Sequence, residues 1–169
     1  MTHPEAVPDP GLLGIYLNDH LAGATGGLEL FRRVAGSQPG ATADALKRLT
    51  AEVEEDRTAL LAIMAELGFP VRHYKVIAGW AAEKAGRLKL NGRLLSRSPL
   101  SDVIELEGLH LGVSGKAACW RLLRALAATE PRLDTVKLDA LIARADRQAA
   151  ELDELRLAAA RTALAQRAG

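Results

Sequence analysis

Apolar side chains recur along this chain at three- and four-residue intervals, which is the spacing of a buried helix face and not of a strand. The cleanest stretch runs from Ala41 to Leu67, where Leu46, Leu49, Val53, Leu60, Ile63 and Leu67 form a heptad-like stripe closed by Gly68 and Pro70. Upstream, Asp9 and Pro10 make a cap and first-turn pair for a helix of about 25 residues ending near Gly36. Ser37 to Gly40 is then a turn. A helix predicted from Pro99 to Ala128 is apolar nearly all round (Leu100, Val103, Ile104, Leu106, Leu109, Leu111, Val113, Trp120, Leu123, Leu126) and is expected to be the most buried element. The last helix starts after Pro131 with Asp134 as its cap and carries Leu138, Leu141, Ile142, Ala145, Leu152 and Leu155 on one face. Its alanine- and arginine-rich end is expected to fray or to outrun its neighbours. Between the two long pairs, Ala78 to Leu90 predicts a shorter helix bounded by Asn91-Gly92 and Ser98-Pro99. The pattern therefore predicts an all-α fold, a four-helix bundle with a shorter connecting helix between the helix pairs. Residues 1–10 read as a loose arm and 11–169 as one domain.

Composition sharpens this picture. Apolar residues make up 49% of the 169-residue chain but aromatics only 4%, so the core is expected to be leucine and alanine, both good helix formers. Gly23, Gly26 and Gly27 each cost about 1 kcal/mol inside a helix, which predicts a neighbouring helix close against them. The 22 Lys and Arg balance 21 Asp and Glu, so average charge gives no reason to expect nucleic acid or membrane as a partner. The lone Cys119 sits among Ala117, Ala118 and Trp120 and reads as a buried structural thiol. With three prolines and no apolar core segment, the first eleven residues resemble neither a signal peptide nor a membrane span, and a cytoplasmic protein is expected.

The stripes contain polar residues where a bundle should be dry. Periodicity on the second helix places Asp56 on the buried seam, where an aspartate is costly unless paired or bound. His20 falls in register with Leu13, Leu17 and Leu21; His110 lies beside Leu106 and Val113 with Glu107 three residues earlier; Gln148 lies between Leu141 and Leu155. All lie near the middle of their helices, so a bundle with short loops would collect them in one layer. The first expectation for that layer is a hydrogen-bonded network that fixes helix register. The second is a metal site for iron or another divalent ion. Glu107-Gly-Leu-His110 has the Glu-x-x-His spacing that puts a carboxylate and an imidazole on one face, and Asp56, Glu52 and His20 complete the candidate ligands.

Two long helices, a long connection and two more long helices resemble the ferritin-like superfamily of bacterioferritin-type bundles. Leu17-Asn18 with Leu21 is similar to the opening of such chains, and Leu67-Gly68-Phe69-Pro70 to the end of their second helix. The resemblance implies a ligand carboxylate at Glu52 and puts Glu55 where a ligand histidine would stand, with Ala24 in the position of the first-helix glutamate. The last helix offers Gln148, Asp146 and Glu151 but no Glu-x-x-His, so the implied metal site is degenerate and no cofactor is the leading expectation. The family register favours Glu52 and Glu55, whereas periodicity turns Asp56 inward. Trp80, Glu83-Lys84, Gly86-Arg87, Asn91-Gly92-Arg93, Arg97-Ser98-Pro99, Glu105 to His110 and Gly115-Lys116 also resemble a set of uncharacterised actinobacterial proteins, which implies no activity.

Between Arg72 and Arg97 lie Arg72, Lys75, Lys84, Arg87, Lys89, Arg93 and Arg97 against the single acid Glu83. Such a cluster suits an anionic partner, nucleic acid or lipid, through Lys84, Arg87, Lys89, Arg93 and Arg97; a solvated face balancing acids elsewhere is the preferred expectation. The sequence thus points first to a non-catalytic structural or interaction protein, dimeric through the small-residue face of its first helix or bound to another protein. A di-metal carboxylate protein handling iron or oxygen, and an anion-binding connector, are the alternatives.

Overall fold

The computed structural model describes residues 9–72 and 100–165. Four α-helices and no strands are present among them: α1 Pro10–Ser37, α2 Gly40–Glu66, α3 Ser101–Leu126 and α4 Thr135–Ala165. The shorter helix expected at Ala78 to Leu90, with Lys84, Arg87, Lys89, Arg93 and Arg97, lies outside the described residues, as do residues 1–8 of the arm. No described helix is long and apolar enough to cross a membrane.

The ends of the helices follow from local chemistry. Asp9 caps α1 by accepting the backbone N–H of Gly11 at 2.8 Å, and Asp134 caps α4 by accepting those of Val136 at 2.9 Å and Lys137 at 3.1 Å. At the end of α2, Gly68 takes a φ of +77° that only glycine adopts freely. Its N–H donates to Ala65 O at 3.0 Å, and that of Phe69 to Met64 O at 2.8 Å, which is a Schellman closure. Gly40 likewise turns the chain between α1 and α2 with a φ of +54°.

Cross-helix pairs give the directions. Arg32 meets Glu54 and Thr25 meets Arg57, so α1 and α2 are antiparallel; Arg124 meets Asp139 and Glu107 meets Arg156, so α3 and α4 are too. Between these hairpins, Arg33–Glu105 and Gln38–Asp102 set α1 against α3, and Glu52–Arg147 and Glu66–Lys137 set α2 against α4, again antiparallel. Every neighbour is antiparallel, and α2 and α3 therefore run in the same direction on a diagonal. Arg72 is bound to Asn18 near the start of α1, while Asp102 is bound to Gln38 at its end. The end of α2 and the start of α3 are thus separated by the height of the bundle, about 40 Å for a 27-residue helix.

The core is aliphatic, as composition predicts. Leu17, Leu21, Leu28, Phe31 and Val34 of α1 pack with the α2 stripe of Leu46, Leu49, Val53, Leu60, Ile63 and Met64, and with Leu106, Leu109, Val113, Trp120 and Leu123 of α3 and Leu138, Leu141 and Leu152 of α4. Two expectations are corrected. Helix α3 is not buried all round: Leu111 is 71% exposed and Leu100 and Leu122 are also exposed, so its apolar residues exceed what one face can bury. Nor does any described atom, apart from the flanking residues and the helix's own local backbone, come within 4 Å of where a Cβ would sit on Gly23, Gly26 or Gly27. The close approach is at Gly14 instead, where a Cβ would stand 3.1 Å from the Phe69 ring.

Asn18, buried within α1, anchors the chain that leaves α2. Its Nδ2 donates to Gly14 O at 2.8 Å and Pro70 O at 3.2 Å, and its Oδ1 accepts the Arg72 N–H at 2.7 Å. Replacing a buried group that satisfies distant backbone leaves those groups without partners. Asn18→Ala is expected to lower unfolding free energy by about 1–3 kcal/mol and to raise hydrogen exchange at the Arg72 amide; chemical denaturation and exchange mass spectrometry measure both.

Candidate functional site

The backbones of α2 and α4 make the loosest approach of any neighbouring pair. Long polar side chains cross the gap where aliphatic ones would not reach. From one end to the other, Arg48 pairs with Glu151, Glu52 with Arg147, Glu55 with Arg144, and Lys137 with Glu66. Most of these pairs are solvated and each contributes little by itself. The centre of the seam differs, because there the network turns inward.

Asp56 is 1% exposed and Gln148 fully buried. Lys116 reaches in from α3 and its Nζ donates to Asp56 Oδ2 at 2.5 Å and to Gln148 Oε1 at 2.6 Å. The Gln148 amide donates in turn to Glu52 Oε2 at 2.9 Å and Asp56 Oδ2 at 3.3 Å. Arg144 pairs through Nη2 with Asp56 Oδ1 and through Nη1 with Glu55 Oε2 at 2.8 Å. The Asp56–Arg144 contact is an ion pair by proximity, without hydrogen-bond alignment at Oδ1; this oxygen, Arg144 Nε and the nearby-in-sequence Trp120 Nε1 make no hydrogen bond among the described residues. The layer therefore links three helices, α2, α3 and α4.

Electrostatics follow from burial. Desolvation pulls the Lys116 ammonium below the usual lysine range, and Asp56 opposes that pull. For Glu52, burial pushes upward, but hydrogen bonds from Gln148 and Arg147 outweigh it and hold the carboxyl below its ordinary value. On the other side of the bundle, burial pushes the Cys119 thiol up to about 12, so it is a protonated, structural group with the Tyr16 hydroxyl beside it.

The candidate residues separate into those that join this layer and those that do not. Asp56, Glu52 and Gln148 are brought together. His20 packs against Tyr16 with ring centroids 4.5 Å apart and ring planes tilted by 60°, and burial holds its imidazole below 6.5 despite the opposing charge of Asp19. His110 is half-buried on α3 and makes no hydrogen bond to the layer. Glu107 faces Arg156 at the surface at 3.4 Å. No group of three or more His, Cys, Asp and Glu side chains suited to a metal forms among the described residues. Periodicity placed Asp56 better than the family register: Asp56 is buried, whereas the Glu55 side chain is 67% exposed. Lys116, Arg144 and Arg147 were not singled out as partners, although Lys116 lies one helical turn before Trp120 and Arg144 one turn before Gln148, on the same faces as these buried residues.

No family model matches the chain, and neither a curated protein nor a solved structure does.

Breaking a buried pair from one side strands the other charge. Asp56→Leu is expected to destabilise the fold by about 3–5 kcal/mol, and the double variant Asp56→Leu with Lys116→Met to recover much of that loss; denaturant titrations of the singles and the pair provide the cycle. His20 gives a pH signature. Its folded pKa lies below the unfolded 6.5, so its contribution is complete above that value and is lost as pH falls through the window beneath it. His20→Phe is expected to flatten the decline of melting temperature as pH falls below about 6.5.

Proposed function

We propose that the chain is a ferritin-like helical bundle that serves as a non-catalytic structural or interaction protein of the cytoplasm, associating with a second copy or with another protein. The observation that carries this reading is the way the central carboxylates are engaged. Asp56 is held by Lys116 and Arg144, and Glu52 by Gln148 and Arg147. A carboxylate bound to an ammonium or guanidinium has its charge already matched, and a metal ion would have to displace those cations. Glu107 and His110 do not join the layer, so the donors available to a metal do not fit a di-iron site. The Glu-x-x-His spacing alone thus favours iron or oxygen chemistry less than the pairing favours a structural layer.

Helix order and direction support the ferritin-like part of the reading: two antiparallel hairpins, with α2 and α3 parallel. Exposed Leu12 and Ile15 on α1 and Leu111 and Leu122 on α3 leave apolar surface that supports association. Binding of an anionic partner through Lys84 to Arg97 concerns residues outside those described and gains no structural support.

Metal analysis of protein purified without chelator tests the reading. Iron, manganese and zinc are expected far below one equivalent, with no rise in melting temperature on adding them. Stoichiometric metal that is lost in Asp56→Asn would replace this proposal with the di-metal one.

A further inference from the structure

We infer that the centre of the bundle is a binding site for a single primary ammonium group, and that Lys116 fills it as a ligand tethered to the chain. This rests on the structural reading of the layer and gives the layer a specific ligand chemistry.

Charge bookkeeping within the layer is the first argument. Glu52, Glu55 and Asp56 supply three negative charges; Arg144 and Arg147, each paired to one or more of them, supply two positive ones. The remainder is one negative charge, and Lys116 cancels it. A divalent ion in its place would leave the cluster with a net positive charge, and a divalent ion beside it a larger one.

Donor geometry is the second. The Lys116 side chain is 14% exposed, so its Nζ has exchanged most of its water for protein oxygens: a carboxylate at 2.5 Å and an amide carbonyl at 2.6 Å. An ammonium donates hydrogen bonds and accepts none, and both of these oxygens are acceptors. Gln148 is oriented for the task, because its own amide nitrogen donates to Glu52 and Asp56, which turns Oε1 toward Lys116. The site is thus selected for a hydrogen-bond donor carrying one charge, with Asp56 and Gln148 as its floor and the aliphatic stem of Lys116 as its entrance.

Lys116→Ala removes the ammonium and its stem and leaves the oxygens. Propylammonium carries the atoms that this substitution deletes beyond Cβ. At neutral pH, Lys116→Ala is expected to melt at lower temperature than the native chain, and propylammonium chloride is expected to restore most of the loss in a saturable way. Sodium chloride at equal ionic strength, and manganese or zinc chloride at equal concentration, should not. The native chain and Lys116→Met, whose thioether side chain fills the same space, should show no such response, and neither should Lys116→Ala combined with Asp56→Asn. If Lys116→Ala does not fold alone, the same salt is expected to restore its helical circular dichroism and cooperative melting. Absence of a saturable propylammonium effect, or equal restoration by the divalent ions, overturns the inference. Metal bound by the native chain would instead overturn the structural reading, so the two failures are separable.

Discussion

The buried contact between Lys116 and Asp56 constrains how the two hairpins of this bundle can meet. Each hairpin is held internally by close aliphatic packing, which tolerates small shifts along its length because leucine against leucine looks much the same one turn away. A buried ion pair does not tolerate such a shift. Moving α2 by one helical turn so that Leu60 took the place of Asp56 would strand that carboxylate among leucines and leave Lys116 without its anionic partner, a far larger cost than any repacking. The pair is therefore better understood as fixing which arrangement is native than as adding net stability, a use for which polar residues in helical bundles are well suited.

The loose approach of α2 and α4 makes sense in that light. A tight aliphatic seam would exclude the guanidinium and amide groups that complete the layer. With more room, Arg144, Arg147 and Gln148 extend from α4 and satisfy Glu52, Glu55 and Asp56 at the centre of the interface. Asn18 performs a related role at one end of the bundle, where it fixes the chain leaving α2 by backbone hydrogen bonds instead of charge.

How much of this was legible in the sequence differed by the kind of interaction. Helix positions were legible because caps such as Asp9 and Asp134 and stops such as Gly68 act within a few residues. The inward positions of Asp56 and Gln148 were legible because helical periodicity is itself local. Their partners were not. Lys116 is long enough to reach inward from a position that ranks as half-buried, and nothing along α3 alone shows that its ammonium meets Asp56 sixty residues away in sequence. His20, His110 and Glu107 were expected at one height with Asp56 and Gln148, but the antiparallel register sets them apart along the bundle: Glu107 faces Arg156, eight residues beyond Gln148 on α4, which is about 12 Å of helix. Spacing within one helix does not fix which turn of its neighbour it will meet. The glycines misled for a similar reason: small size permits close approach but does not select which glycine is approached, and Phe69 selected Gly14.

The topology also divides the contacts into local and nonlocal sets. Both hairpins join residues that are close in sequence across short turns, so each can form with little loop-closure entropy. The polar layer instead joins Asp56 to Lys116 and Gln148, contacts separated by 60 and 92 positions. Bringing the two hairpins together is consequently the nonlocal part of folding and carries the larger loop-closure cost. A contact that forms only when both hairpins are in place is lost as soon as either one moves away, so the central ion pair ties the integrity of each half of the bundle to the presence of the other.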